Sequence, residues 1–326
     1  MGKIFTVVFL FWVSMSSALA DNQQSFDDWL KDFRVEALDK GIRPATLDAA
    51  LTGIQPIPRV IELDRKQPEF TLTFAQYLER VVPVSRQNKA RDRFKTHQQL
   101  LEEIGKKYGV QPRFIVALWG IETDFGRVTG GFDVIPALAS LAYDGRRSAF
   151  FRKELFHALT IIDQGHVSAD NMKGSWAGAM GQSQFMPSSF VQYAQDYDGD
   201  DRRDIWSTQA DVFASAANYL KRVGWRDDIT WGRQVQLPTS GKASRDNSMA
   251  LHDNKTWKGL NDWAALGVTS FDGSALPSRN IQARLVMPDG KDGPAYLAYK
   301  NFEAILKWNR SNYFAIAVGT LSDSMR

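Results

Sequence analysis

The chain has 326 residues, no cysteine, 12% aromatic residues and a formal net charge of +3. This length allows one large domain or two to three small ones with an ample core, and the composition excludes an intrinsically disordered protein. The charge is too weak to indicate a nucleic-acid-binding protein. The lack of cysteine excludes disulfides and a lipid anchor on an N-terminal cysteine.

The first twenty residues have the pattern of a secretory signal peptide. A basic start at Lys3 precedes an apolar run at 4–13, and Ala18 and Ala20 occupy the small-residue positions before a cleavage site. The apolar run is too short to span a bilayer comfortably. We therefore predict cleavage after Ala20 and export of a soluble protein without a membrane anchor.

Apolar residues at helical spacing dominate the next part of the chain. Two helices are predicted over 25–52, separated at Gly41, with Thr46 as the cap of the second. The proline-marked stretch 55–70 predicts a linker. We assign 21–98 to an N-terminal α-helical domain. Further helices are predicted at 73–80, 88–107, 148–164, 187–197, 208–223, 295–309 and 311–320.

A central helix begins at Pro112, a residue that is well suited to the first helical position. Its residues from Phe114 to Ile121 leave almost no polar face, which predicts a helix surrounded by protein. We assign 99–226 to a catalytic core built around this helix.

The composition and the hydrophobic pattern of the sequence change after Trp225. Short alternating runs at 234–237 and 281–287 lie among glycine, proline, asparagine and aspartate, which indicates a small β-rich insertion over 227–288. We expect residues 289–326 to return to helix and complete the core. The fold class is therefore predicted as mainly α, with a minor β component (α+β).

Glu122 is the single acid at the end of the apolar helix. Burial and the negative end of the helix dipole both disfavour the carboxylate, so both favour an acid that stays protonated near neutral pH, as a general acid must. The alternative is an ordinary glutamate on an exposed final turn. A paired-carboxylate glycosidase would need a second acid across the sugar. Asp124 would point about 200° away if the helix continued, and Asp133 could approach only from a loop.

The stretch from Lys173 to Phe190 combines closely spaced glycine and alanine with neutral polar groups and rings. Serine and glutamine side chains beside Trp176 and Phe185 suit an uncharged acetylated sugar. The alternative is a tight helix crossing with polar loop residues. The glycine spacing matches neither a dinucleotide-binding motif nor a serine-hydrolase elbow.

Five acids between Asp196 and Asp204 have the spacing of a calcium loop. Alternate carboxylates in a tight loop can converge on a hard cation, although Asp-Gly runs are also common in plain turns. Asp201 replaces the usual glycine, and the last carboxylate of the usual loop is replaced by Ser207. The predicted Ca²⁺ ligands are Asp196, Asp198, Asp200, the carbonyl of Arg202, Asp204 and the late Asp211. The four histidines show no zinc spacing.

Taken together, WGIETDFG at 119–126, the pair Arg146–Arg147, GSWAGAMGQSQFMPSS at 174–189, DGDDRRDIW at 198–206 and ANYL at 217–220 resemble the lytic murein transglycosylase B family. The resemblance extends from about Phe26 to the C-terminus. It implies a lysozyme-like helical catalytic core with an added α domain and a small β domain. It also implies a periplasmic enzyme that cleaves the β-1,4 bond between N-acetylmuramic acid and N-acetylglucosamine in peptidoglycan, leaving 1,6-anhydromuramyl ends.

The resemblance implies a role for individual residues. Glu122 matches the one catalytic acid and base, so no second carboxylate is needed. The aspartate loop matches a single EF-hand-like Ca²⁺ site of the family, where the last ligand is also late. The other matched positions contact the glycan or its peptide: Arg146, Arg147, Ser175, Gln184, Tyr219, Trp308, Asn309 and Tyr313.

Two other functions remain open at this level. One is a hydrolase of the lysozyme type on the same scaffold, which would leave reducing ends. The other is a peptidoglycan-binding protein without turnover. The expected partner is the glycan strand of peptidoglycan. A wall-synthesis complex would suit such an enzyme, but no feature of the sequence indicates one.

Overall fold

The computed structural model describes residues 24–66, 72–238 and 256–326. The predicted signal peptide, 1–20, lies outside these ranges. Within them, no helix combines the length and apolar character needed to cross a membrane. The helices are α1 Phe26–Asp39, α2 Pro44–Leu51, α3 Pro58–Arg65, α4 Phe74–Val81, α5 Val84–Thr96, α6 Gln98–Tyr108, α7 Pro112–Thr123, α8 Val134–Tyr143, α9 Ser148–Asp163, α10 Pro187–Tyr193, α11 Gln209–Arg222, α12 Leu260–Ala265, α13 Lys300–Trp308 and α14 Asn312–Asp323. The strands are β1 Phe132–Asp133, β2 Lys173–Gly174, β3 Gly232–Gln236, β4 Lys258–Gly259, β5 Thr269–Ser270, β6 Gln282–Val286 and β7 Ala295–Ala298. The predicted mainly α fold is confirmed.

The helix α7 is the centre of the first core, as its sequence predicted. Every residue from Phe114 to Gly120 is buried. The helices α5, α6, α11 and α14 pack around it. An apolar helix can be surrounded in this way because it has no polar face that must reach water. Its last turn is thereby held by neighbours on several sides.

The pair α8 and α9 forms a second core. Their buried faces pack together and receive α2, α3 and α10. The helix α1 joins through its contacts with α2 and through Phe33, which stacks on Phe156 of α9. Residues of α4 and α5, in contrast, belong to the core around α7. The segment 21–98, expected to be one N-terminal domain, is therefore divided between two cores.

Several helix boundaries differ from the sequence-based expectation. The predicted linker 55–70 contains α3, which begins at Pro58, because proline fits the first turn of a helix as well as a turn. The predicted helix 88–107 is two helices that meet at His97. Thr46 does not cap α2: it is buried inside that helix and donates its hydroxyl to Asp163 at 2.5 Å. The helix α10 ends at Tyr193, before the predicted 197.

The five-stranded sheet has the order β4-β6-β7-β3-β5 with antiparallel neighbours. The predicted helix over 295–309 is wrong for its first part, because Ala295–Ala298 is the central strand β7. All four of its residues are buried, so the run lacks the alternation that marks a half-exposed strand. The strand-rich part therefore extends beyond the expected end at residue 288.

Gly319 on α14 marks a close approach to the ring of Trp231. A Cβ atom at this position would lie 2.2 Å from the ring. Trp231 is 2% exposed and its Nε1 donates to Asp323 at 3.0 Å, so the ring has little room to move. Gly319→Ala should therefore destabilise the fold by about 1–3 kcal/mol, measured as a lower melting temperature. Gly131→Ala is the control, because a Cβ there meets no atom within 4 Å, and an equal loss in the two variants would contradict this packing argument.

Candidate functional site

Glu122 lies in the last turn of α7, where the chain reverses sharply. The helix ends because Asp124, Phe125 and Gly126 all adopt positive φ angles. The N–H groups of Asp124 and Phe125 close the helix end by donating to Gly120 and Trp119 carbonyls at 3.1 and 3.3 Å. Residues other than glycine rarely adopt this left-handed backbone conformation. Two of them in succession, Asp124 and Phe125, therefore indicate a turn that contacts with neighbouring residues hold in place.

The Glu122 carboxyl has one hydrogen-bond partner among the described residues, the indole of Trp308. Nε1 of Trp308 donates to Oε1 at 2.8 Å. Glu122 keeps partial access to solvent, but the protein atoms around its carboxyl replace most of its hydration. Burial raises the pKa of Glu122 from 4.5 to about 7, and the Trp308 hydrogen bond opposes that rise. Glu122 can therefore carry a proton near neutral pH and can also release it.

The nearby acid Asp124 is directed towards cations. Its carboxylate accepts from Arg127 at 2.7 Å and Lys89 at 3.1 Å, and the Nε atom of Arg86 lies at 3.6 Å. Burial would raise the pKa of Asp124, but these hydrogen bonds outweigh it and hold that pKa below its usual value. Asp133, the other candidate, pairs with Lys173 on the surface. Among the described residues, no second carboxylate hydrogen-bonds to Glu122 or perturbs its pKa.

Aromatic side chains support Trp308 from behind. The ring of Tyr219 lies 4.8 Å from the Trp308 ring, and Phe185 lies 5.2 Å from it. The Tyr219 hydroxyl donates to the Lys307 carbonyl at 2.6 Å, which ties α11 to the end of α13. Tyr219, predicted from the sequence as a cleft residue, is 8% exposed and positions Trp308 from within this cluster.

A second aromatic group stands at the start of α4 and α14. Tyr313 donates its hydroxyl to Asp289 at 2.6 Å and its ring lies 5.5 Å from that of Tyr77. Burial raises the pKa of Tyr77, the negative charge of Glu122 adds to that rise, and the positive charge of Arg86 opposes it. The sequence does not single out Tyr77, because its position on an amphipathic helix is equally typical of a core residue. Asn309, at the end of α13, accepts from the N–H of Ser311 at 3.1 Å.

The stretch 173–190 folds into two nested turns that hold Ser175 and Gln184. Met180 bridges to Gly174 on one side and to Phe185 on the other. The Ser175 hydroxyl accepts from the N–H of Ala179 at 3.0 Å and keeps its own hydrogen for another acceptor. Nε2 of Gln184 donates to the carbonyls of Thr129 and Gly181. No hydrogen bond in the described part of the chain joins Ser175 or Gln184 to Glu122.

Gln182 links these turns to α7, the helix that carries Glu122. Its Oε1 accepts from the indole of Trp119 at 2.8 Å, and its carbonyl accepts from the hydroxyl of Thr123 at 3.0 Å. Its Nε2 donates to the carbonyl of Trp206 at 2.9 Å. Gly126 lies so close that a Cβ there would be 2.4 Å from Oε1 of Gln182. This role is not apparent from the sequence, because nothing in the local pattern distinguishes Gln182 from Gln184.

The predicted pair Arg146 and Arg147 converges on a buried carboxylate. Asp64 of α3 is 1% exposed and binds Nε of Arg146 at 2.9 Å as well as the guanidinium of Arg147. Both arginine side chains remain nearly half exposed. Asp64 therefore orients two cations while their outer N–H groups stay available. A lone aspartate inside a predicted linker gave no reason to expect this.

Three of the predicted metal ligands come together. Carboxylate oxygens of Asp196, Asp198 and Asp211 lie within 4.8 Å of one another. Oxygens bound to one Ca²⁺ at about 2.4 Å are at most about 4.8 Å apart, so the set fits a single ion. Asp201 adopts φ +67°, the left-handed conformation for which glycine is usual at this point of the loop. Burial and the adjacent Asp198 and Asp196 carboxylates raise the pKa of Asp211 to about 6, despite two backbone hydrogen bonds.

The other predicted ligands are used differently. Both carboxylate oxygens of Asp204 bind the following turn: Oδ1 accepts from the N–H groups of Trp206 and Ser207 at 2.9 Å, and Oδ2 accepts from the Ser207 hydroxyl. Asp200 accepts from the N–H of Arg202 at 2.9 Å. Asp204 and Asp200 are not among the three carboxylates that come together, although Asp196 of that cluster also accepts local turn hydrogen bonds, from the N–H groups of Gly199, Asp200 and Asp201.

The raised pKa of Glu122 predicts a pH-dependent stability difference. Between its unfolded pKa near 4.5 and its folded pKa near 7 the native state retains a proton that the unfolded chain has lost. The free energy of unfolding therefore falls with rising pH in this window, and Glu122→Gln should gain stability over the wild type from about pH 5 to about pH 8. Urea unfolding at several pH values tests this, with the exposed Glu79→Gln as control. A difference that does not vary with pH would contradict the assigned pKa.

Comparison with known proteins places this arrangement in a family. Residues 25–323 match the family model described as Transglycosylase SLT domain. The chain is 35% identical over 231 residues to the membrane-bound lytic murein transglycosylase B of Escherichia coli strain K12. That alignment covers 70% of this chain and 61% of the relative, so the chain spans about three fifths of the length of the curated relative it matches.

Solved structures give the same result for the fold. SltB3 from Pseudomonas aeruginosa in complex with NAG-anhNAM-pentapeptide matches with a TM-score of 0.88 and 45% identity, over 93% of this chain and 80% of that chain. The Escherichia coli lytic transglycosylase Slt35 in complex with calcium matches with a TM-score of 0.75 and 28% identity, over 91% and 92% of the two chains. The expected lysozyme-like core is confirmed by these neighbours. With its transglycosylase SLT domain over nearly all of the described residues, the chain belongs to the lytic murein transglycosylase B family.

Proposed function

We propose that this protein is a lytic transglycosylase that cleaves the β-1,4 bond between N-acetylmuramic acid and N-acetylglucosamine in peptidoglycan without water. The observation that carries the proposal is the Glu122 carboxyl. It has a pKa near 7, a single hydrogen-bond donor in Trp308 and no carboxylate partner among the described residues. A lysozyme-type hydrolase would need a second carboxylate or a positioned water, so the geometry favours an acid that acts alone.

Protonated Glu122 donates its proton to the glycosidic oxygen as the bond from that oxygen to C1 of the muramyl unit breaks. The acetamido group of the substrate stabilises the positive charge that develops at C1. The carboxylate of Glu122 then takes the proton of the muramyl C6 hydroxyl while the oxygen of that hydroxyl attacks C1. The product is a 1,6-anhydro ring, and Glu122 ends in its starting protonation state. A pKa near neutrality suits both transfers.

The surrounding residues support recognition of the two sugars and the peptide. The hydroxyl of Ser175 and the free Oε1 of Gln184 suit the acetamido group, and the rings of Trp308 and Tyr313 suit sugar faces. Tyr77 joins them as a hydroxyl near Glu122. Asn309 stands at the rim. Arg146 and Arg147, oriented by Asp64, suit the lactyl or peptide carboxylate. The ligand of the related SltB3, NAG-anhNAM-pentapeptide, has these chemical groups.

We infer that Ca²⁺ binds at Asp196, Asp198 and Asp211 and stabilises the loop between α10 and α11. Three converging carboxylates repel one another without a cation, and the spacing of their oxygens fits this ion. The backbone carbonyl of Arg202 is a further candidate ligand. The related Slt35 structure contains calcium. We assign the ion a structural role, because none of these three carboxylates hydrogen-bonds directly to Glu122 within the described residues.

Location and partners follow the same reasoning. We propose that the N-terminal segment directs export of the protein and that the protein acts in the periplasm, where the proposed substrate lies. The proposal for the N-terminus rests on sequence alone, since residues 1–23 are outside the described ranges. The partner we propose is the glycan strand with its stem peptides, with no nucleic acid.

Mass spectrometry of the fragments released from purified sacculi tests the reaction. The mature protein should release muropeptides with anhydro ends, each lighter by one water than the hydrated form. Glu122→Gln should lose turnover by about two to four orders of magnitude, because a neutral amide cannot donate the required proton. Hydrated reducing ends would identify a hydrolase. Binding to sacculi without any release by the wild type would identify a non-catalytic binder.

Thermal unfolding with Ca²⁺ and with chelator tests the metal site. Asp198→Asn should lower the melting temperature only when Ca²⁺ is present, because a ligand that binds the native state alone stabilises it by about 2.7 kcal/mol at 100 times its Kd. Asp201→Asn removes the same charge from the same loop, and asparagine tolerates its left-handed backbone, so it should retain the calcium effect. An equal loss for Asp198→Asn in chelator would contradict the metal assignment.

A further inference from the structure

A cavity of about 700 Å³ lies apart from the catalytic glutamate. We call it the lateral pocket and define it by its three walls: the start of α2 at 43–49, the segment 162–171 after α9, and residues 202–207 of the aspartate loop. Its lining includes neither Glu122 nor any residue proposed above to contact the glycan. Its volume falls within the range of about 300 to 1,000 Å³ that is usual for small-molecule sites.

Side-chain hydrogen bonds connect the three walls to one another and to the catalytic side of the molecule. Arg43 donates to Asp163 at the end of α9 from its backbone N–H and from its side chain. The N–H of Arg203 donates to Nδ1 of His166 at 3.2 Å. Nε1 of Trp206 donates to the carbonyl of Lys173 at 3.0 Å, two residues before Ser175. The lateral pocket is therefore preformed, which lowers the conformational entropy lost on binding.

Several polar groups of the lining have no side-chain hydrogen bond within the described ranges. They are the hydroxyl of Ser168, the amide of Asn171 and Nε2 of His166. Because Nδ1 of His166 already accepts a hydrogen bond, the neutral ring carries its hydrogen on Nε2 and offers a donor. Ser168 and Asn171 are exposed and His166 is partly buried, so these neutral donors and acceptors lie on the open side of the pocket, where they suit hydroxyl and acetamido groups of a ligand.

The same pocket offers one weakly paired cation, Arg202, and one aromatic surface, whereas its other arginine, Arg43, pairs with Asp163. The guanidinium of Arg202 is 57% exposed, and its one ion pair is a long contact of 3.8 Å from Nε to Asp200. Its terminal N–H groups can bind a carboxylate in the bidentate manner. Trp206 is partly exposed, and its ring packs on Phe190 at 5.8 Å. Asp204 also lines the pocket, but its carboxylate already accepts from Trp206 and Ser207, so the weakly paired Arg202 suits a ligand with a single carboxylate.

We propose that the lateral pocket is a second peptidoglycan-binding site, which takes an N-acetylated sugar unit bearing one carboxylate-containing substituent. This inference rests on the proposed function, since it assigns a second contact with the same polymer. Two sites on one chain raise the effective concentration of the cleft near the strand without any new catalytic group. The pocket should therefore matter for insoluble sacculi and not for short soluble fragments.

NMR titration of the mature Glu122→Gln protein with a soluble disaccharide muropeptide tests the binding. The indole N–H signal of Trp206, assigned with Trp206→Phe, should shift on addition of the ligand. The triple variant Ser168→Ala/Asn171→Ala/Arg202→Ala in the same background should weaken this response at least about tenfold, because it removes three hydrogen-bonding groups. Lys106→Ala, which removes one exposed charge from α6, is the control and should not change the response.

Activity measurements complete the test. With otherwise wild-type protein, the double variant Ser168→Ala/Asn171→Ala, which leaves the candidate calcium ligand Arg202 in place, should keep its melting temperature and its rate on soluble fragments, and should release fragments from sacculi several times more slowly. A Trp206 signal that does not move when the cleft is saturated, or a triple variant that binds as the control does, would overturn the second site. Failure of the proposed function gives a different result, namely a wild type that releases no anhydro fragments from either substrate while the Trp206 response persists.

Discussion

The structure depends on one costly arrangement, a glutamate carboxyl held among protein atoms at the C-terminal end of an apolar helix. Burial and the helix end both oppose the carboxylate, and a single indole N–H from Trp308 partly compensates. The folded chain therefore tolerates a group that would be more stable in water. Such an arrangement persists only when neighbouring elements fix it from several directions, and α5, α6, α11 and α14 do so around α7.

The surrounding loops are held in place by close backbone approaches and by amide side chains. Gly130 lies so near Gly174 that a Cβ at residue 130 would be 2.1 Å from the Gly174 carbonyl oxygen. The turn after α7 and the turn before Ser175 are therefore packed directly against each other. Gln182 then connects α7, through Trp119, to Trp206 of the aspartate loop. A change of shape in the aspartate loop can therefore reach the helix of Glu122 through one side chain, so the calcium ion proposed for this loop would be physically connected to that helix.

Charge is distributed unevenly between these regions. Asp124 and Asp64 are surrounded by guanidinium and ammonium groups, and Asp196, Asp198 and Asp211 face one another. Glu122 has neither arrangement. Cations near Glu122 would lower its pKa and leave an anion unable to donate a proton, whereas a second carboxylate would suit hydrolysis. The isolation of Glu122 from charged partners is thus the feature that links the geometry to a single-acid mechanism.

The sequence by itself determined which local features exist. The apolar run after Pro112 defined a central helix, Glu122 stood out as its only acid, and the spacing of the aspartates indicated a metal loop, because each signal depends on residues close together in the chain. Only the tertiary structure decided the features that depend on contacts between residues distant in the chain. Trp308 reaches Glu122 from 186 positions away, Asp64 of a supposed linker orients two arginines, and Ala295–Ala298 is a strand because partners on both sides pair with it. No local pattern encodes such contacts, since the free energy that selects them comes from packing between segments that are distant in the chain.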